Sequence, residues 1–122
     1  MESKRSRPLK NALTNLDNAL KVYSQRAKDD PLPFLTVVKA FEVAVVYGWR
    51  ELKANVQEEG LDAPSPKAAI REAARLKIIN DPEFWLKAIE ARNASVHDYF
   101  GIGEEEFIQI AKNFLKLAYG HL

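Results

Sequence analysis

The chain has 122 residues, 47% of them hydrophobic and 29% charged, and its formal net charge is +1. These values are typical of one globular domain that can bury a core, and so small a net charge gives no broad field for attracting nucleic acid or membranes. The chain has no cysteine, which excludes disulfides and thiolate zinc sites. No apolar run reaches the length of a membrane span and no signal peptide is recognisable, so we expect a cytoplasmic protein without membrane contact.

Residues 1–7 form a basic segment that contains Lys4, Arg5 and Arg7 and few apolar side chains. We expect a short disordered tail, because charge runs are usually solvated, with an RNA-contacting arm as the alternative. The remaining residues, 8–122, are expected to form a single helical domain.

Two long helices are predicted in the first half of the chain. The first runs from about Pro8 to Lys28, where leucines recur at spacings of three and four, and the proline-rich segment Asp29–Pro33 ends it. The second runs from about Pro33 to Glu58 and is apolar on almost every side in its first half, so it is either central or shared with another subunit. A strand is the competing interpretation because β-branched residues are dense, but the length and the lack of turn signals favour a helix.

Two residues interrupt the apolar pattern of this second helix. Gly48 costs about 1 kcal/mol relative to alanine in a helix interior, and a close helix crossing would explain it. Glu42 is a lone carboxylate inside the apolar run. It either forms a buried ion pair, lies at the edge of the buried face, or serves as a partner for Arg92 farther along the chain.

Three shorter helices follow. Ser65 caps a helix that runs from about Pro66 to Lys77, and Asn80–Glu83 gives the start signal of a fourth helix, from Pro82 to near Tyr99. A pair of glycines ends the fourth helix, and three glutamates begin the fifth, where the helix dipole favours carboxylates. His121 is expected to be frayed and solvated. No strand pattern is present, so the predicted fold is an all-α, antiparallel four- or five-helix up-and-down bundle.

The segment Ala91–Phe100 contains the only internal histidine of the chain. On a helix, Arg92 and Tyr99 share a face, and Asn93 and His97 are neighbours four residues apart. Arg92 continues the apolar stripe of the fourth helix, and an arginine on a stripe meant for burial needs a partner. His97 lies about 140° around the helix from Arg92. The two could converge if the helix ends near His97, or if a second copy of the chain supplies the other residue.

These residues suit phosphate chemistry better than other reactions. A metal site is not expected, because one internal histidine without a carboxylate at ligand spacing is a poor site, and no cofactor is implied. Ser95 and His97 lie on different helix faces, which weakens a serine nucleophile. Arg92 can hold a phosphate bidentately, His97 can move a proton near neutral pH, and Asn93 can hold the imidazole or a phosphate oxygen. Phosphodiester cleavage by an RNA 2′-OH needs a base and an acid, which a symmetric dimer would provide as two histidines.

Short pieces of the sequence, taken in order, point to a known family. They are Phe41-Glu42, Gly48-Trp49-Arg50, Leu52-Lys53, Ser65-Pro66-Lys67, Ile70-Arg71-Glu72-Ala73, Ile78-Ile79, Trp85, Arg92-Asn93 and His97-Asp98-Tyr99. The last two form the pattern Arg-x4-His-x-Tyr with a polar residue after the arginine. In this order and spacing, residues from about 34 to 119 resemble the nucleotidyltransferase substrate-binding proteins, a branch of the HEPN superfamily.

The resemblance implies a helical bundle that dimerises, with the two motifs meeting in a cleft between subunits. It also implies a partner, a minimal nucleotidyltransferase that acts as the antitoxin of a toxin–antitoxin pair. The HEPN protein of such a pair is commonly a metal-independent endoribonuclease. On this chain Arg92 would bind phosphate, His97 would be the acid or base, and Asn93 and Asp98 would support them. Tyr99 would be the residue to which the partner adds AMP.

Two other functions compete with a ribonuclease toxin. The chain could be a non-catalytic subunit that holds a nucleotide or another substrate for the partner nucleotidyltransferase. It could also be a helical interaction module in which Arg92 and His97 only satisfy a buried network.

Overall fold

The computed structural model describes residues 5–96 and 102–122. In chain order its helices are α1 (Arg7–Ser24), α2 (Leu32–Glu58), α3 (Pro66–Arg75), α4 (Pro82–Val96) and α5 (Glu104–His121). Consecutive helices pack against each other, and α5 also packs against α1 and α2. No strand occurs within these residues, which confirms the predicted all-α bundle.

The predicted start signals of α3 and α4 act as caps. The Ser65 hydroxyl accepts a hydrogen bond from the Ala68 backbone N–H at 3.1 Å, and Asp81 Oδ1 accepts one from the Phe84 N–H at 3.1 Å. Each side chain satisfies one of the N–H groups that the first turn of a helix leaves without a partner. The entry into both short helices is therefore fixed locally.

Helix α1 ends at Ser24 rather than near Lys28. The backbone N–H groups of Gln25 and Arg26 turn back to the carbonyls of Val22 and Tyr23, at 3.1 and 3.2 Å, and tighten the last turn. The Arg26 guanidinium lies 3.7 Å from the centroid of the Tyr23 ring, a cation–π contact that holds the chain in this turn. The predicted end of the fourth helix, near Tyr99, lies outside the described residues.

Part of the predicted disordered tail is folded onto the bundle. The Arg5 guanidinium pairs with Glu51, at 3.1 Å, and with Glu58, while the Ser6 hydroxyl lies 3.1 Å from the Glu51 carboxylate. Glu51 is 7% exposed and is the one charged side chain among the buried residues that the structure describes. A buried carboxylate needs such partners, so residues 5–7 belong to the domain and not to a free tail.

Helix α2 is the central helix, since it contacts each of the other four. Its first half is nevertheless only partly covered: Val37 and Phe41 are buried, whereas Leu32 and Leu35 are 65% and 53% exposed. The helix is also long and apolar enough to cross a membrane, with a mean hydropathy of 1.4 over its most apolar window. This finding corrects the expectation that no segment reaches span length, although core helices of globular proteins meet the same criterion.

Aromatic side chains hold α2, α4 and α5 together around Gly48. The rings of Phe41 and Phe114 are 5.8 Å apart and those of Trp85 and Phe114 are 5.4 Å apart, both edge to face. A Cβ atom at Gly48 would lie 3.1 Å from the Phe114 ring and 3.2 Å from the Trp85 ring. The predicted close helix crossing at Gly48 is therefore confirmed.

Helix α3 ends in a Schellman motif that has an unusual residue at its left-handed position. The N–H groups of Lys77 and Ile78 donate to the carbonyls of Ala74 and Ala73, at 3.0 and 2.8 Å. Lys77 has φ 64°, and it is the one residue other than glycine with a positive φ among those described. Glycine usually occupies this position because a Cβ atom is strained there.

Replacing Lys77 with glycine is therefore expected to stabilise the protein by about 1 kcal/mol, since the strain is relieved and the turn is kept. Chemical denaturation would measure the change in the free energy of unfolding. Lys77→Ala is the matched control, because alanine removes the same amine but keeps the strain. Equal stabilities of the two variants would contradict this account of the turn.

Candidate functional site

A cavity of about 560 Å³ lies between α2 and α4 and contains Arg92. We call it the Arg92 cavity. Its α4 side consists of Arg92, Ser95 and Val96. Its α2 side consists of residues that recur at spacings of three and one and so form one helix face: Lys39, Glu42, Val43, Val46, Tyr47 and Arg50.

The charges in this cavity are mainly positive. Lys39, Arg50 and Arg92 line it, and Glu42 is the one carboxylate among its described lining residues. A chain whose net charge is only +1 thus concentrates three cations around a single opening. Such a concave, cationic surface attracts phosphate groups without a basic field over the whole protein.

Arg92 is half-buried and incompletely hydrogen-bonded. Its Nη1 donates to Asn93 Oδ1 at 3.3 Å, whereas its Nε is buried and has no hydrogen-bond partner among the described residues. A buried N–H without a partner costs about 1–3 kcal/mol. A phosphate group bound at the Arg92 guanidinium would satisfy it with a charge-assisted hydrogen bond once the side chain shifts to open Nε to the cavity. The stripe that was predicted to bring Arg92 against the bundle is confirmed, since Trp85, Ala88 and Ile89 are buried on the same helix.

Glu42 lines the cavity but forms no ion pair with Arg92 in the described part of the chain. Its Oε2 accepts a hydrogen bond from the Ser95 hydroxyl at 2.6 Å. The Ser95 hydroxyl also lies 2.9 Å from the Arg92 carbonyl oxygen. The prediction that Glu42 is a partner for Arg92 is therefore wrong, since Glu42 is paired with Ser95 instead. Glu42 is half-buried, which agrees with a position at the edge of the buried face.

Of the other predicted site residues, Asn93 is exposed and touches Arg92 through the hydrogen bond given above. His97, Asp98 and Tyr99 lie outside the described residues, and so do the predicted convergence of His97 with Arg92 and its approach to Asn93. Val96, the last described residue before this gap, lines the cavity.

Three further residues line the cavity and were not predicted as site residues: Lys39, Tyr47 and Arg50. Tyr47 is half-buried, and the Arg50 guanidinium lies 5.9 Å from the centroid of its ring. The available signal was the helical register of Glu42, because these three residues share its face of α2. Which face of α2 meets α4 depends on tertiary packing, and the periodicity of one helix does not specify it.

His121 belongs to a second polar cluster and is not frayed. Its ring packs edge to face on Trp85, with centroids 6.3 Å apart. We assign the Asn55 amide so that its nitrogen donates to His121 Nε2 at 3.0 Å and to the Glu51 carbonyl at 3.2 Å, while its oxygen accepts from Arg5 at 3.3 Å. In the opposite orientation the Asn55 amide oxygen would face only hydrogen-bond acceptors, and the amide nitrogen would face only donors. Because Nε2 accepts, His121 is neutral and carries its proton on Nδ1.

Burial lowers the pKa of His121 below its ordinary value of 6.5, and the nearby Glu51 carboxylate offsets only part of this effect. The unfolded chain therefore takes up a proton near pH 6.5, whereas the folded chain does so only at lower pH. The corresponding stability is fully present above pH 6.5 and is lost as the pH falls through the pKa of the folded state.

We expect that the stability of the His121→Gln variant does not show this fall at acid pH. The melting temperatures of parent and variant, measured between about pH 7.5 and 5, should therefore converge in acid. Parallel curves would contradict the assignment of a neutral, partly buried His121.

The fold and the site together define a class of protein. It is an all-α bundle with a cationic interhelical cavity that contains the arginine of the sequence pattern Arg-x4-His-x-Tyr. The model of one protein family, described as nucleotidyltransferase substrate binding protein like, matches residues 4–119. The chain belongs to this family. A comparison with curated proteins finds no significant match.

Proposed function

We propose that this protein is a HEPN-type toxin, a metal-independent endoribonuclease that a cognate nucleotidyltransferase neutralises in the cytoplasm. The observation that carries the proposal is the state of Arg92. It is a half-buried arginine with a buried Nε that lacks a partner among the described residues, in a cavity with two more cations. Membership of the nucleotidyltransferase substrate-binding family supports the class of the partner.

The proposed reaction needs no metal, because Arg92 supplies the positive charge at the phosphate. His97 takes the proton of an RNA 2′-OH, whose oxygen attacks the adjacent phosphorus as the bond to the 5′-oxygen breaks. The leaving 5′-oxygen receives a proton from His97 of a second copy of the chain. The products are a 2′,3′-cyclic phosphate and a 5′-hydroxyl. Lys39 and Arg50 bind neighbouring phosphates, and the Tyr47 ring offers a surface for a base.

The second copy would bind through a groove between α1 and α2, which we call the α1–α2 groove. Its volume is about 710 Å³, and its lining includes the exposed apolar residues Val22, Leu32, Leu35 and Val43. Val43 and Lys39 line both this groove and the Arg92 cavity. A homodimer formed here would bury the uncovered apolar side of α2 and bring two Arg92 cavities near one interface.

Leu35→Glu is expected to convert the proposed dimer into a monomer, because a carboxylate would be buried in an apolar interface. Light scattering after size exclusion would measure the mass at micromolar concentration. Gln57→Glu adds the same charge at an exposed position of the same helix and should leave the mass unchanged. A monomeric parent protein would refute this interface.

The ribonuclease itself is tested by incubating total tRNA and mRNA with the purified parent protein in a chelator. The parent should yield fragments that end in a 2′,3′-cyclic phosphate, and His97→Ala should yield none. His121→Gln is the matched control, because it removes the other histidine of the chain. Equal cleavage by the parent and by His97→Ala would contradict the proposal. The intact mass of the parent must first exclude AMP on Tyr99, because we propose that the nucleotidyltransferase neutralises the toxin by this modification.

A second candidate function is a non-catalytic subunit that holds a nucleotide for the partner nucleotidyltransferase. The volume of the Arg92 cavity, about 560 Å³, is in the range typical of small-molecule sites, which supports this function. It predicts that the transferase activity of the partner changes when this chain is added, and that Arg92→Ala removes the change. An effect of the chain on transfer without any RNA cleavage would favour this candidate.

A further inference from the structure

A third cavity, of about 670 Å³, lies between the last half of α5 and the connection from α3 to α4. We call it the α5 groove. Its polar lining consists of Lys77, Asn80, Asn113, Lys116 and His121. None of these residues lines the Arg92 cavity. What binds in the α5 groove is therefore a separate question from RNA cleavage.

The lining of the α5 groove is cationic and rich in free donors. Among its lining residues, all of which lie in the described part of the chain, there are two lysines and no carboxylate. The side chains of Lys77, Asn80, Asn113 and Lys116 make no hydrogen bond or ion pair with another described residue. The amides provide both donors and acceptors, whereas the lysines provide only charged donors. This combination suits an anionic group attached to a polar heterocycle.

The inner wall of the groove is apolar and consists of well-packed side chains. Ile78 and Leu117 are half-buried, and Trp85 is 1% exposed and packed in the aromatic cluster. His121 lies beside Trp85, and its Nε2 is already engaged by Asn55. Its Nδ1–H remains as a neutral donor. A planar ring could therefore pack its apolar face against this wall while polar atoms at its edge form hydrogen bonds with the amides of Asn80 and Asn113.

Lys77 is the strongest indication that the α5 groove has a binding function. Its left-handed backbone is part of a turn that glycine forms at lower cost, as described above. The turn itself needs no side chain, and the Schellman hydrogen bonds come from the backbone alone. A strained non-glycine residue that lines a cavity indicates a role for its side chain in that cavity.

We propose that the α5 groove binds a nucleoside monophosphate. The phosphate lies between Lys77 and Lys116, the base rests on Ile78 and Leu117, and the amides of Asn80 and Asn113 bind the edge of the base. The volume of the groove is in the range typical of small-molecule sites. This site does not depend on the proposed ribonuclease activity.

The test is calorimetric titration of the full-length protein with AMP, with inorganic phosphate and adenosine as separate probes. AMP should bind at least about tenfold more tightly than either part alone, because charge and apolar contacts act together. Lys77→Gly should weaken AMP binding about tenfold or more, through loss of a charge-assisted contact, without lowering the melting temperature. Lys116→Ala should act in the same way. Lys67→Ala, on an exposed residue at the other end of α3, should bind like the parent.

The same titration separates this site from the Arg92 cavity. Arg92→Ala should keep AMP binding, and AMP should shift the NMR signal of the His121 ring. Binding that survives Lys77→Gly, or is lost in Arg92→Ala, would overturn the proposal. Equal affinities for inorganic phosphate and AMP would overturn it too, because they would leave only an anion site. Tighter binding of an oligoribonucleotide than of AMP in the groove would also overturn the proposal.

Discussion

Arg92→Ala is expected to reduce RNA cleavage by about 10²–10³-fold while leaving the melting temperature close to that of the parent. The size of the loss is that found when one preorganised donor to a developing charge is removed. The fold should tolerate the change because, among the described residues, Arg92 donates only to the exposed Asn93 and its buried Nε has no partner to lose. The free energy of unfolding should not fall by more than about 1 kcal/mol, because removal of the unpaired buried N–H offsets the packing that is lost.

This result separates a functional arginine from a structural one. If Arg92 only satisfied a buried network, its removal would lower stability and leave activity in proportion to the folded fraction. Arg92→Lys keeps the charge but not the bidentate fork, so intermediate cleavage is expected. Arg71→Ala, on an exposed residue of α3, serves as the control for loss of an arginine. A large fall in melting temperature for Arg92→Ala alone would favour the structural role.

Trp85→Ala should destabilise the fold by about 3–5 kcal/mol, a large part of the total stability of a small domain. Trp85 is 1% exposed, packs on Phe114 and His121, and fills the space that a Cβ atom at Gly48 would need, so its loss opens a cavity where three helices meet. Denaturation followed by far-UV circular dichroism would measure the change.

The chain offers a matched control, because Trp49 is its only other tryptophan. Trp49 is half-buried and has Lys53 at 5.9 Å from its ring centroid, at the edge of the bundle. Trp49→Ala should therefore lower the free energy of unfolding clearly less than Trp85→Ala does. Equal costs would mean that the aromatic cluster around Gly48 is not the main anchor of α4.

The parts of the fold that sequence reasoning predicted are those that local interactions determine. The caps at Ser65 and Asp81, the stripe that ends at Arg92 and the crossing at Gly48 all follow from residue type and helical spacing. Each depends on a few consecutive residues or on one face of one helix. The predicted all-α class followed from the same local signals.

The parts that were missed depend on contacts between distant segments. Arg5 meets Glu51, and His121 meets Asn55, only because the bundle closes α1 and α5 around α2. Lys39 and Arg50 face Arg92 only because α2 is rotated in one particular way against α4. No spacing rule within one helix reports such a rotation. The left-handed Lys77 was missed for another reason, since residue type alone would have favoured glycine there.

The central position of α2 has a consequence for how the protein is made. Synthesis completes α2 before α3, α4 and α5, so its apolar surface emerges while three of the four helices that pack against it do not yet exist. At typical rates of about 5–20 residues per second, this surface stays open for seconds. Its mean hydropathy of 1.4 is that of a segment that chaperones or a membrane could capture. The yield of folded protein should therefore depend on translation speed and chaperone supply more than on the final stability of the bundle.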